Sequence, residues 1–393
     1  MLLDINALRE DTPGCERVLH FNNAGAGLMP RRVLDAIQSH LQLESEMGGY
    51  EAHAAAASAY QDTYDAIAEL IGASRAEIAL LENATRAWDQ IFYGMKLSAG
   101  DRIITAQASY ASNYIAMLQR AKNDGIEIDV IPNDAFGQVD VGVLEQTITP
   151  RTKLICLTHI PTNSGLVNPA AEVGVVARRH SVPYLLDACQ SVGQVHVNVD
   201  DIGCDFLSST GRKYLRGPRG TGFLYVRSSS LDLIEPPFLD LHAATWTGIN
   251  EYHMHPDSRR FENWEGYVAG KIGLGAAVRY LLETGPDATF DRIAELGAHL
   301  RASLLEIPSI TVHDLGKQKG GIVTWSHASV DFKRFMVAFR NAKVNVNIAY
   351  PEWARLDAET RGLPMMIRSS VHYYNTPKEV ARFCRIVSDV IDG

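Results

Sequence analysis

Between residues 75 and 227, short apolar runs alternate with stretches of helical periodicity. The runs are EIALL (77–81), RIIT (102–105), EIDVIP (127–132), KLICLT (153–158), PYLLDA (183–188), DFLSS (205–209) and GFLYV (222–226). Runs such as KLICLT and PYLLDA are apolar throughout rather than alternating, the mark of strands covered on both faces. Alternation of β and α at this spacing predicts an α/β domain with a mostly parallel sheet between helices. Ligands of such sheets bind beyond the carboxyl ends of the strands. In this chain those positions are the polar ones: Asn83-Ala84-Thr85, Ser109-Tyr110, His159 to Asn163, and Asp187-Ala188-Cys189-Gln190.

The pattern then changes. Residues 264–284 read as a long, mostly apolar helix, followed by strand-like GIVTWSHAS (321–329), VNVNIAY (344–350) and PMMIRSSVHYY (364–374) among helices. Thr376 as N-cap and Pro377 at the first helical position start an amphipathic terminal helix. This predicts a smaller α+β domain, built from 1–15 and 256–393, beside a large domain over 16–255. A chain of 393 residues is in any case too long for one ordinary core.

Composition narrows the classes. With 46% hydrophobic and 21% charged residues the chain is globular, neither disordered nor fibrous. A net charge of −9 argues against nucleic acid as a partner. No stretch is apolar and long enough to predict a membrane span, and MLLDINALREDTPG does not read as a signal peptide. Five cysteines, at 15, 156, 189, 204 and 384, lack CxxC spacing and point to a reducing cytoplasm without a structural metal. The densest cationic run, Arg212, Lys213, Arg216 and Arg219, lies among glycines and suits one small phosphate better than a duplex.

Two elements carry the chemistry. In DFLSSTGRKYLRGPRGTGFLYVR (205–227) a strand enters a small polar turn where Thr210 offers a hydroxyl, Gly211 lets the backbone approach, and Arg212 supplies a donor fork for an anion. Lys213, among cations and shielded from water, would have its neutral amine favoured for imine chemistry. Taken alone, the same run reads equally well as a solvated basic loop. Asp187, at the end of an apolar strand, needs a cationic partner, and a pyridinium nitrogen would serve. The alternative for Asp187 is a helix cap. Gln190 stands within reach of a phenolic oxygen on the same ring.

The order of FNNAG (21–25), NATRAW (83–88), SYASN (109–113), THIPTNSG (158–165), DACQSVGQ (187–194), SSTGRKYLRGPRGTG (208–222), RFENWE (260–265) and IRSSVHYYNT (367–376) resembles the class V aminotransferase and cysteine desulfurase family over almost the whole chain. The resemblance implies the fold type I architecture of pyridoxal 5'-phosphate (PLP) enzymes. It makes Lys213 the Schiff-base lysine and catalytic base, with Asp187 on the pyridine nitrogen and Gln190 on the phenolic oxygen. Tyr110 falls where the family stacks an aromatic ring on the cofactor, Ala84, Thr85, Thr210 and Arg212 surround the phosphate, and Thr162 lies near the cofactor's oxygen or the substrate. Arg368 matches the arginine that forks onto the substrate α-carboxylate, with Asn23 and Ala24 touching the same carboxylate. Arg212 departs from the family's frequent histidine. The family also implies a homodimer with composite active sites and the RFE segment near the boundary, although Asn263-Trp264-Glu265 replace the Gly-Thr pair common in desulfurases.

A desulfurase needs a nucleophilic cysteine shortly before the carboxylate arginine, and residues 347–367 contain none. Cys189 is the only thiol near the predicted site, where it reads as a small packing residue. GGYEAH (48–53), RGPRG and VHYYNT resemble the branch of C–S lyases, including ergothioneine-type sulfoxide lyases, and the isopenicillin-N-epimerase-like group. The expectation is therefore β-elimination from a cysteine conjugate or its sulfoxide, giving pyruvate and ammonia, with transamination or epimerisation as alternatives. Tyr50, His53, Tyr350, Trp353 and Arg355 are candidates for holding the distal part of this small amino-acid substrate. A dinucleotide-binding reading fails because NNAGAG (22–27) lacks the GxGxxG spacing and a preceding βαβ unit. A catalytically silent PLP-fold protein that works by binding a partner stays as the non-enzyme alternative, against which stand Lys213, Asp187 and Arg368 together.

Overall fold

The computed structural model describes residues 3–393. Its centre is a seven-stranded sheet. In chain order the strands are β1 (Ile78–Leu81), β2 (Arg102–Ala106), β3 (Glu127–Ile131), β4 (Thr152–Thr158), β5 (Tyr184–Asp187), β6 (Phe206–Thr210) and β7 (Gly222–Val226). They lie in the spatial order β1-β7-β6-β5-β4-β2-β3, with only β7 antiparallel to its neighbours. Each predicted run became a strand to within a residue or two.

Alternate residues of the strands feed two cores. Ile155 and Leu157 of β4 join one cluster with Ile104, Leu186 and Leu207, while Leu154 and Cys156 join the other with Ile103, Leu185 and Phe206. Each fully buried side chain of this kind contributes roughly 1.5–3 kcal/mol, which explains why the runs are apolar throughout. The edge strand β3 is the exception. It is only partly buried, and its Glu127 and Asp129 pair with Arg102 of β2.

A second, antiparallel sheet has the order β8-β9-β11-β10, from β8 (Ile310–Val312), β9 (Ile322–His327), β10 (Asn347–Ala349) and β11 (Met366–Ser370). The terminal helix Pro377–Asp392 begins with Thr376 and Glu379 in a capping box, and its Val380, Phe383 and Val387 pack with Trp325 and Phe339. Two contacts cross the boundaries expected at 15/16 and 255/256. Leu19–His20 pairs in parallel with Val344–Asn345 of the smaller lobe. The helix Val268–Thr284 sends Ile272, Leu274 and Val278 into the same cluster as Tyr60 and Tyr64.

One element was not legible beforehand. A hairpin of Ala244–Gly248 and Glu251–Met254 stands out from the surface with Trp246, Ile249 and Tyr252 exposed. No described helix is long and apolar enough to cross a membrane.

Candidate active site

The carboxyl ends of β1, β2, β4, β5 and β6 open into a cavity of about 450 Å³. Its wall contains Ala84, Thr85, Tyr110, Thr162, Asp187, Gln190, Thr210, Arg212 and Lys213, nine of the residues expected from the sequence. Topology explains the convergence, because parallel strands bring their following turns to one edge.

Asp187 ends β5 with its side chain buried. Oδ1 accepts the N–H of Cys189 at 3.0 Å, and Oδ2 accepts Asn113 Nδ2 at 2.8 Å. No helix begins there, so the helix-cap alternative falls. Burial pushes the carboxyl above its ordinary value, partly opposed by the Cys189 N–H, the Lys213 charge and Asn113. Lys213, in the turn after β6, is also buried, and burial, with Arg212 nearby, lowers its affinity for a proton while the Cys189 thiol and Asp187 raise it. Its Nζ donates to Cys189 Sγ at 3.2 Å. A buried carboxylate without a matched cation and a buried amine tilted toward its neutral form are what a pyridinium ring and its aldehyde would require.

The anion cradle has two halves. The helix Ala84–Gly94 starts at Asn83, whose side chain accepts the Arg86 N–H at 2.9 Å. The N–H groups of Ala84 and Thr85 have no acceptor among the described residues, so the positive end of the helix is open to an anion. Arg212 Nη1 donates to Thr210 Oγ1 at 3.0 Å, which anchors the guanidinium on the other side. Gly222 lets the halves meet: a Cβ there would lie 2.6 Å from Ser209 O and 2.8 Å from Asn83 C. This cradle, the buried acid and the amine fit PLP.

Arg368, on β11, is buried. Its Nη1 donates to Thr162 O at 3.0 Å and Thr162 Oγ1 at 2.9 Å, while Nε has no partner. No carboxylate pairs with it among the described residues, and burial lowers its pKa to about 10. A desolvated guanidinium with a free N–H is a site for a carboxylate.

Several expectations are corrected. Arg216 does not belong to an anion site. It turns away at φ 61° and is buried, donating to Leu28 O at 2.7 Å and to Thr12 and Tyr373, with Tyr374 under its guanidinium at 4.7 Å. The ring faces of Tyr280, Tyr373 and Tyr374, and acceptors from both the N-terminal and C-terminal segments, supply it with better partners than an open turn could. Arg219 stays at the exposed rim of the cavity. Asn23 and Ala24 lie beside β11, but their polar groups are engaged: Asn23 Nδ2 donates to Ser370 O at 2.7 Å, Ala24 N to Ser370 Oγ at 2.8 Å, and Gln190 Nε2 to Ala24 O at 3.1 Å. That bond uses one of the two amide hydrogens of Gln190 and leaves the other. Tyr50 and His53 open onto a different cavity, of about 550 Å³, with Tyr64, His242 and Trp264. Arg355 pairs with Glu359 at 2.8 Å, whereas Trp353 meets Tyr350 edge-on and its ring lies 5.8 Å from the Arg368 guanidinium. Asn113 was not singled out, although it ends the SYASN motif; its place three residues after Tyr110, on the first turn of the helix Ala111–Asp124, was the available signal.

Comparison with known proteins agrees with this geometry. The model of the family "Aminotransferase class-V" matches residues 19–383. A probable cysteine desulfurase of Xylella fastidiosa is 30% identical over 97% of this chain and 94% of its own length. One from Pyrococcus abyssi is 26% identical over 98% and 97%. Among solved structures, the apo cysteine desulfurase of Thermococcus onnurineus superposes with TM-score 0.92 at 24% identity, covering 100% of this chain and 99% of that one. The cystine C–S lyase C-DES superposes with TM-score 0.87 at 23% identity, covering 96% and 99%. The architecture is the α/β fold type I, and with most of its length matched the chain belongs to the class V aminotransferase family, a cysteine desulfurase-like family whose cofactor is PLP.

Proposed function

We propose that this protein is a C–S lyase that releases a thiol from an S-substituted cysteine, or a sulfenic acid from its sulfoxide. For the thioether, R–S–CH₂–CH(NH₃⁺)–COO⁻ and water give RSH, pyruvate and ammonium. The observation that carries this reading is the segment leading to Arg368. It holds no cysteine to take sulfur as a persulfide, and instead brings the Trp353 ring beside the guanidinium. The likeness in fold to a cystine C–S lyase supports this reading.

In this reading Asp187 and Gln190 hold the ring, Tyr110 covers one face, and Ala84, Thr85, Thr210 and Arg212 hold the phosphate. Bound there, PLP supplies an imine carbon and a sink for the electron pair of the α-carbon. Arg368 would orient the substrate by holding its carboxylate. Lys213 would be the base that takes the α-proton, on Nζ. Thr162, which already fixes Arg368, sets the guanidinium plane.

We also propose a homodimer. The exposed Trp246, Ile249 and Tyr252 of the hairpin, with Leu241 and Phe238 nearby in sequence, form an apolar surface that favours burial against a second copy. The test of the activity is to incubate holo-protein with S-substituted cysteines and their sulfoxides while following pyruvate and the cofactor spectrum. Sustained pyruvate release supports the lyase. Conversion to the pyridoxamine form without pyruvate, reversed by a keto acid, would make it a transaminase.

A further inference from the structure

Asn113 stands at the junction of the cavity and the buried acid. Its Nδ2 lies 2.8 Å from Asp187 Oδ2, and the two residues are only 6% and 7% exposed. The backbone N–H of Cys189 takes the other oxygen at 3.0 Å. Each carboxylate oxygen therefore has one protein donor, which fixes the carboxylate plane and leaves lone pairs for one further donor. Asn113 comes from the first turn of the helix Ala111–Asp124, three residues after its N-cap Tyr110, and both line the cavity. One helical turn thus delivers a ring for the cofactor face and an amide for the acid beneath the ring nitrogen.

We propose that Asn113 is a positioning residue that orients Asp187 and keeps it ionised for the nitrogen of the cofactor ring. The inference rests on Lys213 and Asp187 holding PLP and is independent of the reaction class. A carboxylate shut away from water drifts toward its protonated form, which cannot hold a pyridinium. Donors to the charged form oppose that drift, and Asn113 is the side-chain donor among them. The other groups around Asp187 do not duplicate it. Lys213 offers charge without a hydrogen bond to the carboxylate and turns to Cys189 Sγ. His159, whose N–H bonds the Asp187 carbonyl, is held neutral by burial with its pKa at about 4. Arg212 is anchored on Thr210, and Tyr110 and Cys189 carry no fixed positive charge.

The test compares Asn113→Leu and Asn113→Ala with the wild type. PLP affinity is measured by equilibrium dialysis from pH 5 to pH 8.5, and the melting temperature of cofactor-free protein serves as a separate readout of folding. Loss of the donor raises the pKa of Asp187, so affinity is lost on the acid side earlier than in wild type. The expected result is an acid limb displaced upward by about one pH unit in both variants. An acid limb coincident with wild type overturns the proposal, even where affinity falls uniformly, because a packing defect has no reason to titrate. The alanine variant, which adds no bulk, keeps the test available if leucine prevents folding. Asp187→Ala separates the two levels of inference. If it binds PLP as wild type does, the cofactor reading itself fails. If it loses PLP while the Asn113 variants keep the wild-type limb, only the role of Asn113 fails.

Discussion

Lys213 Nζ and Cys189 Sγ lie 3.2 Å apart, so the one thiol of the cavity is a neighbour of the amine proposed to form the imine. The segment before Arg368, 347–367, holds no cysteine; Cys189 comes instead from the turn after β5, beside Asp187. That position suits contact with the cofactor better than attack on a sulfur at the distal end of a substrate.

Cys189→Ala is therefore expected to keep the imine absorbance band and to release pyruvate from S-substituted cysteines within a few-fold of the wild-type rate, whereas Lys213→Ala loses both. Mass spectrometry of alkylated protein after turnover checks the same point. A persulfide on Cys189, together with loss of sulfur release in Cys189→Ala, would replace the lyase by a desulfurase with a relocated acceptor.

Arg368 separates binding from stability. Charge-assisted hydrogen bonds to a carboxylate contribute roughly 1.5–3 kcal/mol, so Arg368→Met is expected to raise KM about 10- to 150-fold. The same guanidinium is buried without an ion-pair partner. Replacing an unpaired buried charge with an apolar side chain of similar length is often neutral or stabilising. Thermal denaturation without substrate should show Arg368→Met at or above the wild-type midpoint. A large loss of stability with KM unchanged would make Arg368 structural.

Arg216 shows where sequence reading ran out. Its neighbours Arg212 and Lys213 line the cavity, and the strands and the turns carrying Asp187 and Lys213 were legible because each depends on local apolar runs or on a motif, whereas Arg368 lies buried on β11, bonded to Thr162. Arg216 sits four residues from Arg212 in the same basic run, yet a positive φ turns it toward Thr12, Leu28 and Tyr373, partners that are remote in sequence. The occupied polar groups of Asn23 and Ala24 were hidden for the same reason, since Ser370 approaches them from the far end of the chain. The hairpin 244–254 has exposed aromatic residues that give no period to read. Asn113 was within a quoted motif, but only the fold shows that Asp187 lies opposite it.

Arg216→Met tests the corrected assignment. Loss of the charge-assisted hydrogen bonds by which this guanidinium ties the N-terminal segment to the C-terminal lobe is expected to cost about 1.5–3 kcal/mol, read as a lower urea midpoint. The Kd for PLP should stay near the wild-type value in the variant that remains folded. A weakened PLP affinity with an unchanged midpoint would return Arg216 to the phosphate site.

Asp187 gives a prediction whose sign depends on the cofactor. In cofactor-free protein, burial raises its pKa above the ordinary value of 3.8. The native state then binds more protons than the unfolded chain as pH rises from that value to the raised one, so this group's contribution to stability falls across that window and is constant above it. Asp187→Asn removes the titration while keeping the shape. Cofactor-free Asp187→Asn should match wild type at the acid end and become the more stable protein as pH rises, with roughly 1 °C in Tm for each kcal/mol relieved in a chain of 393 residues. Saturating PLP should reverse the order, because ligand binding stabilises only the protein that retains the acid. If wild type is the more stable protein at neutral pH without PLP, then Asn113 and the Cys189 N–H more than offset burial, and the carboxylate is already fully ionised before the cofactor arrives.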